Sequence, residues 1–206
     1  WLGDDRETIG AEKAGILRRG VPVVITDPEP PASVLAHAAA LDAPVLRLGR
    51  DFGFEGGRYA GRAAPPLATA LELPGLDAGV VHPSAVAAAI TVLRLLGAAP
   101  DAEACRVALA GLVIPGRLQT LARGGVRYLF DVAHNPHAAR VLASRLPAEG
   151  SFELVFGAFV DKDVEGILAA LAPRLASVTF VATPGPRGAG AEALAARLAT
   201  CALPAP

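Results

Sequence analysis

After Pro115 the chain repeats one pattern three times, and this repetition restricts the available folds more than any other feature. Each unit is a short apolar run, a polar capping residue and a helical stretch. Arg127–Val132 precedes a helix opened by Asn135-Pro136, and Phe152–Phe156 precedes a helix from Asp163 through Leu171. Val178–Ala182 precedes a helix from about Ala191 to Leu198. Strands alternating with helices in this way predict a parallel sheet with right-handed crossovers. Proline at the first helical position fits, because its missing N–H would be unpaired there in any case.

The first half reads differently. Residues 4–19 are expected to form a helix, with Asp4 and Glu7 as a capping box and Gly20 followed by Pro22 as the stop. Ile9, Lys13 and Ile16 fall on one face of it, which places a lysine in an apolar stripe. Residues 21–25 read as a buried strand, followed by a proline-rich turn at 28–31 and a helix from about Ser33 to Leu41. Phe52 to Tyr59, turning at Gly56-Gly57, reads as a hairpin. Ser84 is expected to cap a helix to about Leu96 with Val86, Ile90 and Leu93 inward, and Asp101 a short one ending at Gly111. The change of rhythm puts a domain boundary near Ile114-Pro115, giving domains at 1–114 and 115–206.

Composition removes several function classes. The 206 residues are 52% hydrophobic and 19% charged, enough apolar material for a packed core. The formal net charge is -1 and no basic run occurs, so no nucleic-acid footprint is expected. No apolar stretch reaches the roughly 20 residues of a membrane span. The two cysteines, Cys105 and Cys201, lie far apart and read as reduced thiols of a cytoplasmic protein. The chain starts at Trp1, contains no methionine and ends in Leu203-Pro204-Ala205-Pro206, so both ends are expected to be cut ends. Some residue types are rare enough to draw attention: Lys13 and Lys162 are the two lysines, Gln119 the one glutamine and Asn135 the one asparagine.

Ligands of parallel sheets bind at the carboxyl ends of the strands. Asp131, His134 and Asn135 sit at that end of the first strand, Asp161, Lys162 and Asp163 follow the second, and Arg187 follows the third. Helix capping accounts for Asn135 and Asp163. It does not account for Asp131, suited to accept hydrogen bonds from a ribose or to orient a cation, nor for His134 beside it. Arg117, at the inferred junction, suits a phosphate with its planar fork and suits an interdomain salt bridge equally. A buried Lys13 would be a nucleophilic amine able to form a carbamate, and so a carboxylate for magnesium. By pattern alone it reads instead as a snorkelling lysine paired with Glu12 or Asp5. No G-x-x-x-x-G-K-[ST] loop, dinucleotide fingerprint, Ser-His-Asp elbow or zinc spacing occurs.

Taken together, five segments resemble the folylpolyglutamate synthase/dihydrofolate synthase family of the Mur ligase superfamily. They are Trp1-Leu2-Gly3-x-x-Arg6-Glu7-x-Ile9-Gly10-x-Glu12-Lys13-Ala14-Gly15-Ile16, Pro115-Gly116-Arg117-x-Gln119, Asp131-Val132-Ala133-His134-Asn135-Pro136-His137-Ala138-Ala139, Asp161-Lys162-Asp163, and Gly185-Pro186-Arg187-Gly188-Ala189. Gln119 and Asn135 favour the folate branch over the cell-wall Mur ligases, which usually carry Gly-Arg-x-Glu and another residue after the Ala-His pair.

The resemblance implies an α/β fold: the end of a P-loop-type ATP-binding domain at 1–114, then a Rossmann-like Mur-ligase C-terminal domain with a mostly parallel sheet at 115–206. It implies a monomeric ligase using ATP and Mg2+ to add L-glutamate to dihydropteroate or folates through an acyl phosphate. The phosphate loop would then lie upstream, leaving this piece alone inactive. The alternatives are a Mur-type cell-wall amino-acid ligase and a non-catalytic nucleotide-contacting module. On this resemblance Lys13 is a catalytic, carbamylated metal ligand, which overturns the snorkelling reading. Arg117 meets phosphate, Asp131 meets ribose, and His134 lies where acyl phosphate meets amine. Lys162 and Arg187 are secondary candidates. Ser84 stands where the family has an asparagine that contacts adenine.

Overall fold

The computed structural model describes residues 5–98 and 100–197, which fall into two compact units dividing between Ile114 and Pro115. In the first, α1 (Arg6–Ala14) precedes β1 (Val23–Ile25), α2 (Ala32–Ala40) and β2 (Val45–Arg47). β1 and β2 are parallel, with Val24 opposite Leu46. An antiparallel meander of β3 (Phe52–Glu55), β4 (Arg58–Gly61) and β5 (Leu71–Leu73) follows, then α3 (Pro83–Leu95) and α4 (Ala102–Ala110). The hairpin turns where expected, at Gly56 and Gly57, with φ of 54° and 73°. That left-handed pair matches the twist of the strands, and glycine adopts it without penalty.

α1 is shorter than the sequence suggests. Asp5 is its N-cap, accepting from the N–H groups of Glu7 and Thr8, and it ends at Ala14. Asp4 and the segment Trp1-Leu2-Gly3 lie outside the described residues. Glu7 does not turn back into a capping box. Its carboxylate instead accepts from the N–H groups of Ala32 at 2.9 Å and Ser33 at 2.8 Å. The N-cap of α2 is Pro31, which has no side-chain acceptor, so a glutamate from the neighbouring helix fills that role. The buried face of α1 is Gly10 and Ala14. A Cβ on Gly10 would lie 2.7 Å from the Pro31 Cβ, so only glycine lets the helices approach this closely. The expected Ile9–Lys13–Ile16 stripe is therefore not the packing face. Ile16 follows the helix end and is 77% exposed, and Lys13 is exposed.

α3 packs on the meander through Val86, Ala87, Ile90 and Thr91. This arc is centred away from Leu93, which is partly exposed rather than inward. Thr91 is fully buried. Its hydroxyl bonds the Ala87 carbonyl and meets the hydroxyl of buried Tyr59, which also accepts from Arg94 Nη1. A polar residue is tolerated there because each of its groups is paired.

The second unit opens with a hairpin, β6 (Gln119–Arg123) and β7 (Val126–Phe130), turning at Gly124-Gly125. Then come α5 (Pro136–Arg145), β8 (Phe152–Phe156), α6 (Val164–Leu171), β9 (Leu175–Phe180) and α7 (Ala191–Arg197). The last helix was expected to reach Leu198, which lies outside the described residues. β8 and β9 are parallel, with Leu154 opposite Val178. The first strand departs from the expected sheet: β7 pairs antiparallel with β6 and is not hydrogen-bonded to β8. The result is a mixed α/β fold. Asn135 and Asp163 cap α5 and α6 as expected, accepting from the Ala138 and Gly166 N–H groups. Ile167, Leu168 and Leu171 of α6 bury against Phe156, Val178 and Leu194. No helix among the described residues is long and apolar enough to cross a membrane.

The hydrogen bonds received from the Ser33 and then the Ala32 N–H groups hold the Glu7 carboxyl below its ordinary range. A depressed carboxyl stabilises the fold above its unfolded pKa and loses that contribution as pH falls through its folded value. Glu7→Ala is thus expected to melt at lower temperature than the parent at pH 7, followed by circular dichroism. The two melting curves should converge as the pH is brought below the carboxylate range.

Candidate functional site

Two loops are stitched together at the start of the second unit. Gly116 (φ 68°) and Leu118 (φ 45°) both adopt left-handed backbone, a conformation that costs a leucine on the order of 1–3 kcal/mol. Asp131 holds it: Oδ2 accepts from the Leu118 N–H at 3.0 Å and Oδ1 from the Ala133 N–H at 2.9 Å. The Gln119 side-chain carbonyl accepts from the Gly116 N–H at 3.0 Å, and the Gly116 carbonyl from the Val132 N–H at 2.9 Å. Asp131 thus fixes the Pro115–Gln119 turn against the end of β7. Each of its oxygens keeps a lone pair for a further donor. Arg117, at the apex of the turn, is exposed and joins none of these bonds.

A concavity of about 280 Å³ opens at the carboxyl ends of β7 and β8, lined by Asp131, His134, Gly157, Lys162 and Thr183 among others. The structure therefore brings together three polar residues from two of the sequence-selected loops. His134 Nδ1 lies 3.1 Å from the Val132 carbonyl. A carbonyl only accepts, so Nδ1 carries a hydrogen and Nε2 is the ring nitrogen left for a ligand.

The far wall is a clasp between the loops after β8 and β9. The Val160 N–H donates to the Arg187 carbonyl at 2.9 Å, and the Ala189 N–H to the Ala158 carbonyl at 3.0 Å. A Cβ on Gly188 would fall 1.7 Å from the Thr183 carbonyl oxygen, so this approach requires glycine. The hydrogen bonds from Arg187, and then from Lys162, hold the Asp161 carboxyl down to about 2.

In the first unit, Ser84 does not cap α3. His82 is the N-cap, its Nδ1 lying 2.7 Å from Ser84 Oγ, and Pro83 and Ser84 occupy the first turn. Pro83 fixes the helix start two residues earlier than a serine cap would allow. The exposed ammonium of Lys13 pairs with neither Glu12 nor Asp5, so neither the burial argument nor the snorkelling pair describes it. Among the described residues no group of three His, Cys, Asp or Glu side chains could hold a metal ion. Sequence reasoning missed β6 as a partner for β7 and the backbone role of Asp131. The Gly124-Gly125 pair between two alternating runs was the signal for the hairpin.

A parallel strand pair flanked by helices, with polar side chains gathered at the strand ends, is an α/β arrangement of the kind that binds ligands at those ends. Residues 116–204 match the model of the Mur ligase, glutamate ligase domain. The chain is 36% identical over 197 residues to the dihydrofolate synthase/folylpolyglutamate synthase of Escherichia coli K12, covering 94% of this chain and 46% of that protein. The crystal structure of the bifunctional enzyme of Yersinia pestis CO92 superposes with a TM-score of 0.83 at 37% identity, over 97% of this chain and 48% of that one. A bifunctional enzyme solved with Mn, AMPPNP and L-glutamate bound gives 0.82 at 35% identity, over 100% of this chain and 49% of that one. The chain belongs to the folylpolyglutamate synthase/dihydrofolate synthase family of the Mur ligase superfamily, and it spans about half the length of the relatives it matches.

Asp131→Ala should free two half-buried donors and leave the left-handed Leu118 unheld, at a cost of about 1–3 kcal/mol. The expected outcome is faster amide hydrogen exchange at Leu118 and Ala133, with exchange along α6 little changed. Uniform acceleration across the unit would contradict the local role.

Proposed function

We propose that this chain is part of an ATP-dependent ligase that adds L-glutamate to dihydropteroate, to folates, or to both, through an acyl phosphate. The observation that carries this reading is the concavity at the strand ends, where Asp131, His134 and Lys162 converge in a chain of this family. The solved relative that holds Mn, AMPPNP and L-glutamate supports it. The same reading assigns residues 1–114 to the ATP-binding domain and 115–206 to the Mur-ligase C-terminal domain. The phosphate-gripping loop is absent from these 206 residues and would be supplied by another part of the protein.

The chemistry needs a carboxylate to be activated by the γ-phosphate of ATP and an amine to displace the phosphate. Asp131, oriented by two backbone N–H groups, accepts from the ribose hydroxyls with its remaining lone pairs. Arg117, without a partner among the described residues, offers its fork to the phosphates. His134, anchored through Nδ1, presents Nε2 to the incoming amine and takes its proton as the C–N bond forms. Ser84 lies beside the base in this reading, its hydroxyl shared with His82 Nδ1. Lys13 follows the family as a carbamate and would bring one carboxylate to a divalent cation. The described residues do not assemble the rest of a metal site, so no step here is routed through that ion. The protein is expected to act as a cytoplasmic monomer on small molecules.

The test is release of phosphate from ATP in the presence of L-glutamate and dihydropteroate, using a protein that joins this chain to a phosphate-loop domain. Activity should appear there and fall on the order of 10²-fold or more in His134→Ala. Phosphate release by the 206-residue chain alone would contradict the assignment of the phosphate loop elsewhere. Its absence from the joined protein would overturn the ligase reading.

A further inference from the structure

Three charged side chains meet where the loops after β8 and β9 clasp, and they are shared unequally. Arg187 reaches Asp161 through Nε at 3.2 Å and through Nη2 at 2.9 Å to Oδ1 and 2.7 Å to Oδ2. Its guanidinium carbon also lies 4.9 Å from the Phe159 ring centroid, and its carbonyl accepts from Val160. Arg187 is therefore held from three directions. Lys162 touches the same carboxylate at one point only, Nζ to Oδ2 at 3.2 Å. Of these three charged side chains, only that of Lys162 lines the concavity.

We propose that Arg187 is a positioning residue that occupies Asp161, so that Lys162 keeps its charge for an anionic oxygen group entering the concavity. A carboxylate facing one lysine forms a neutral pair with it and removes that charge from any ligand. A carboxylate already gripped by a guanidinium holds a second cation more weakly. The planar fork outcompetes an ammonium for the two oxygens, and the three groups together carry +1. The other charges nearby do not reverse this. Asp131 is engaged by two backbone N–H groups, Glu165 is paired with Arg197, and Asp163 caps α6. The inference rests on the proposed function, which makes the entering group either a carboxylate of L-glutamate or a phosphate.

The experiment titrates the 206-residue chain with L-glutamate and, separately, with inorganic phosphate, following the amide resonances of Gly157, Lys162 and Thr183. The probe that binds tells a carboxylate subsite from a phosphate subsite. Lys162→Gln should abolish binding. Arg187→Gln should weaken it at least about threefold, an effect in the range of a single exposed ion pair. Asp161→Asn combined with Arg187→Gln should restore it to within about twofold of the parent, because the competing carboxylate is gone. A combined variant as weak as Arg187→Gln would overturn the proposal, since Arg187 would then be shaping the loop or touching the anion itself. Parent-like binding by Lys162→Gln, or no binding of either probe by the parent, would overturn it too. Should Arg187→Gln fail to fold by circular dichroism, Arg187→Lys with and without Asp161→Asn is read the same way. Phosphate release tests the ligase reading and the order of affinities tests this one, so either can fail alone.

Discussion

The carboxylate of Asp131 holds a leucine where leucine does not rest. Leu118 sits at φ 45° because its N–H is gripped by Oδ2, while Oδ1 grips Ala133 two residues beyond the aspartate itself. One side chain therefore sets the turn that carries Arg117, the end of β7 and the approach to His134. The His134 ring depends on it indirectly, since Nδ1 is anchored on Val132, which lies between Asp131 and the Ala133 it grips. Local strain of this kind persists only where its surroundings over-determine it. Here the Gln119 amide and the Gly116–Val132 bond supply that redundancy.

Helix starts were legible in the sequence because a cap is a local event. Asp101, Asn135 and Asp163 each accept from an N–H three residues on, and the residue types alone disclose this. The glycine pair at Gly56-Gly57 was legible for the same reason. What the sequence hid was long-range. Glu7 looked like part of its own helix's cap, yet it serves α2, because the proline at the start of α2 carries no acceptor. Lys13 falls in an apolar stripe only if Ile16 shares its helical face, and the helix ends at Ala14 before Ile16 can join it. β6 went unread because Leu121 is 53% exposed and its neighbours are exposed as well, so no buried face marks the strand.

The candidate site was legible as a set of residues and not as a geometry. Strand ends, known to be where parallel sheets present ligands, picked out Asp131, His134 and Lys162, and these do line one concavity. Their division of labour came only with the distances. Ser84 shows the reverse case: its type suggested a cap, while the proline before it moved the N-cap to His82 and tied the serine hydroxyl to that imidazole.

The residues by which the family is recognised therefore divide by what their polar atoms already do. Asp131, Gln119 and Asn135 each satisfy backbone N–H groups, and their types are demanded by the fold before any ligand is considered. Gly188 is demanded by a carbonyl that would meet its Cβ at 1.7 Å. Arg117, the Nε2 atom of His134 and the exposed ammonium of Lys13 satisfy nothing within the described residues. The fold asks nothing of these groups, and it is on them that the proposed ligase reading draws. Lys162 falls between the classes, touching Asp161 once while Arg187 takes most of that carboxylate. Its charge is accordingly the one on this rim whose partner is decided by what enters the concavity.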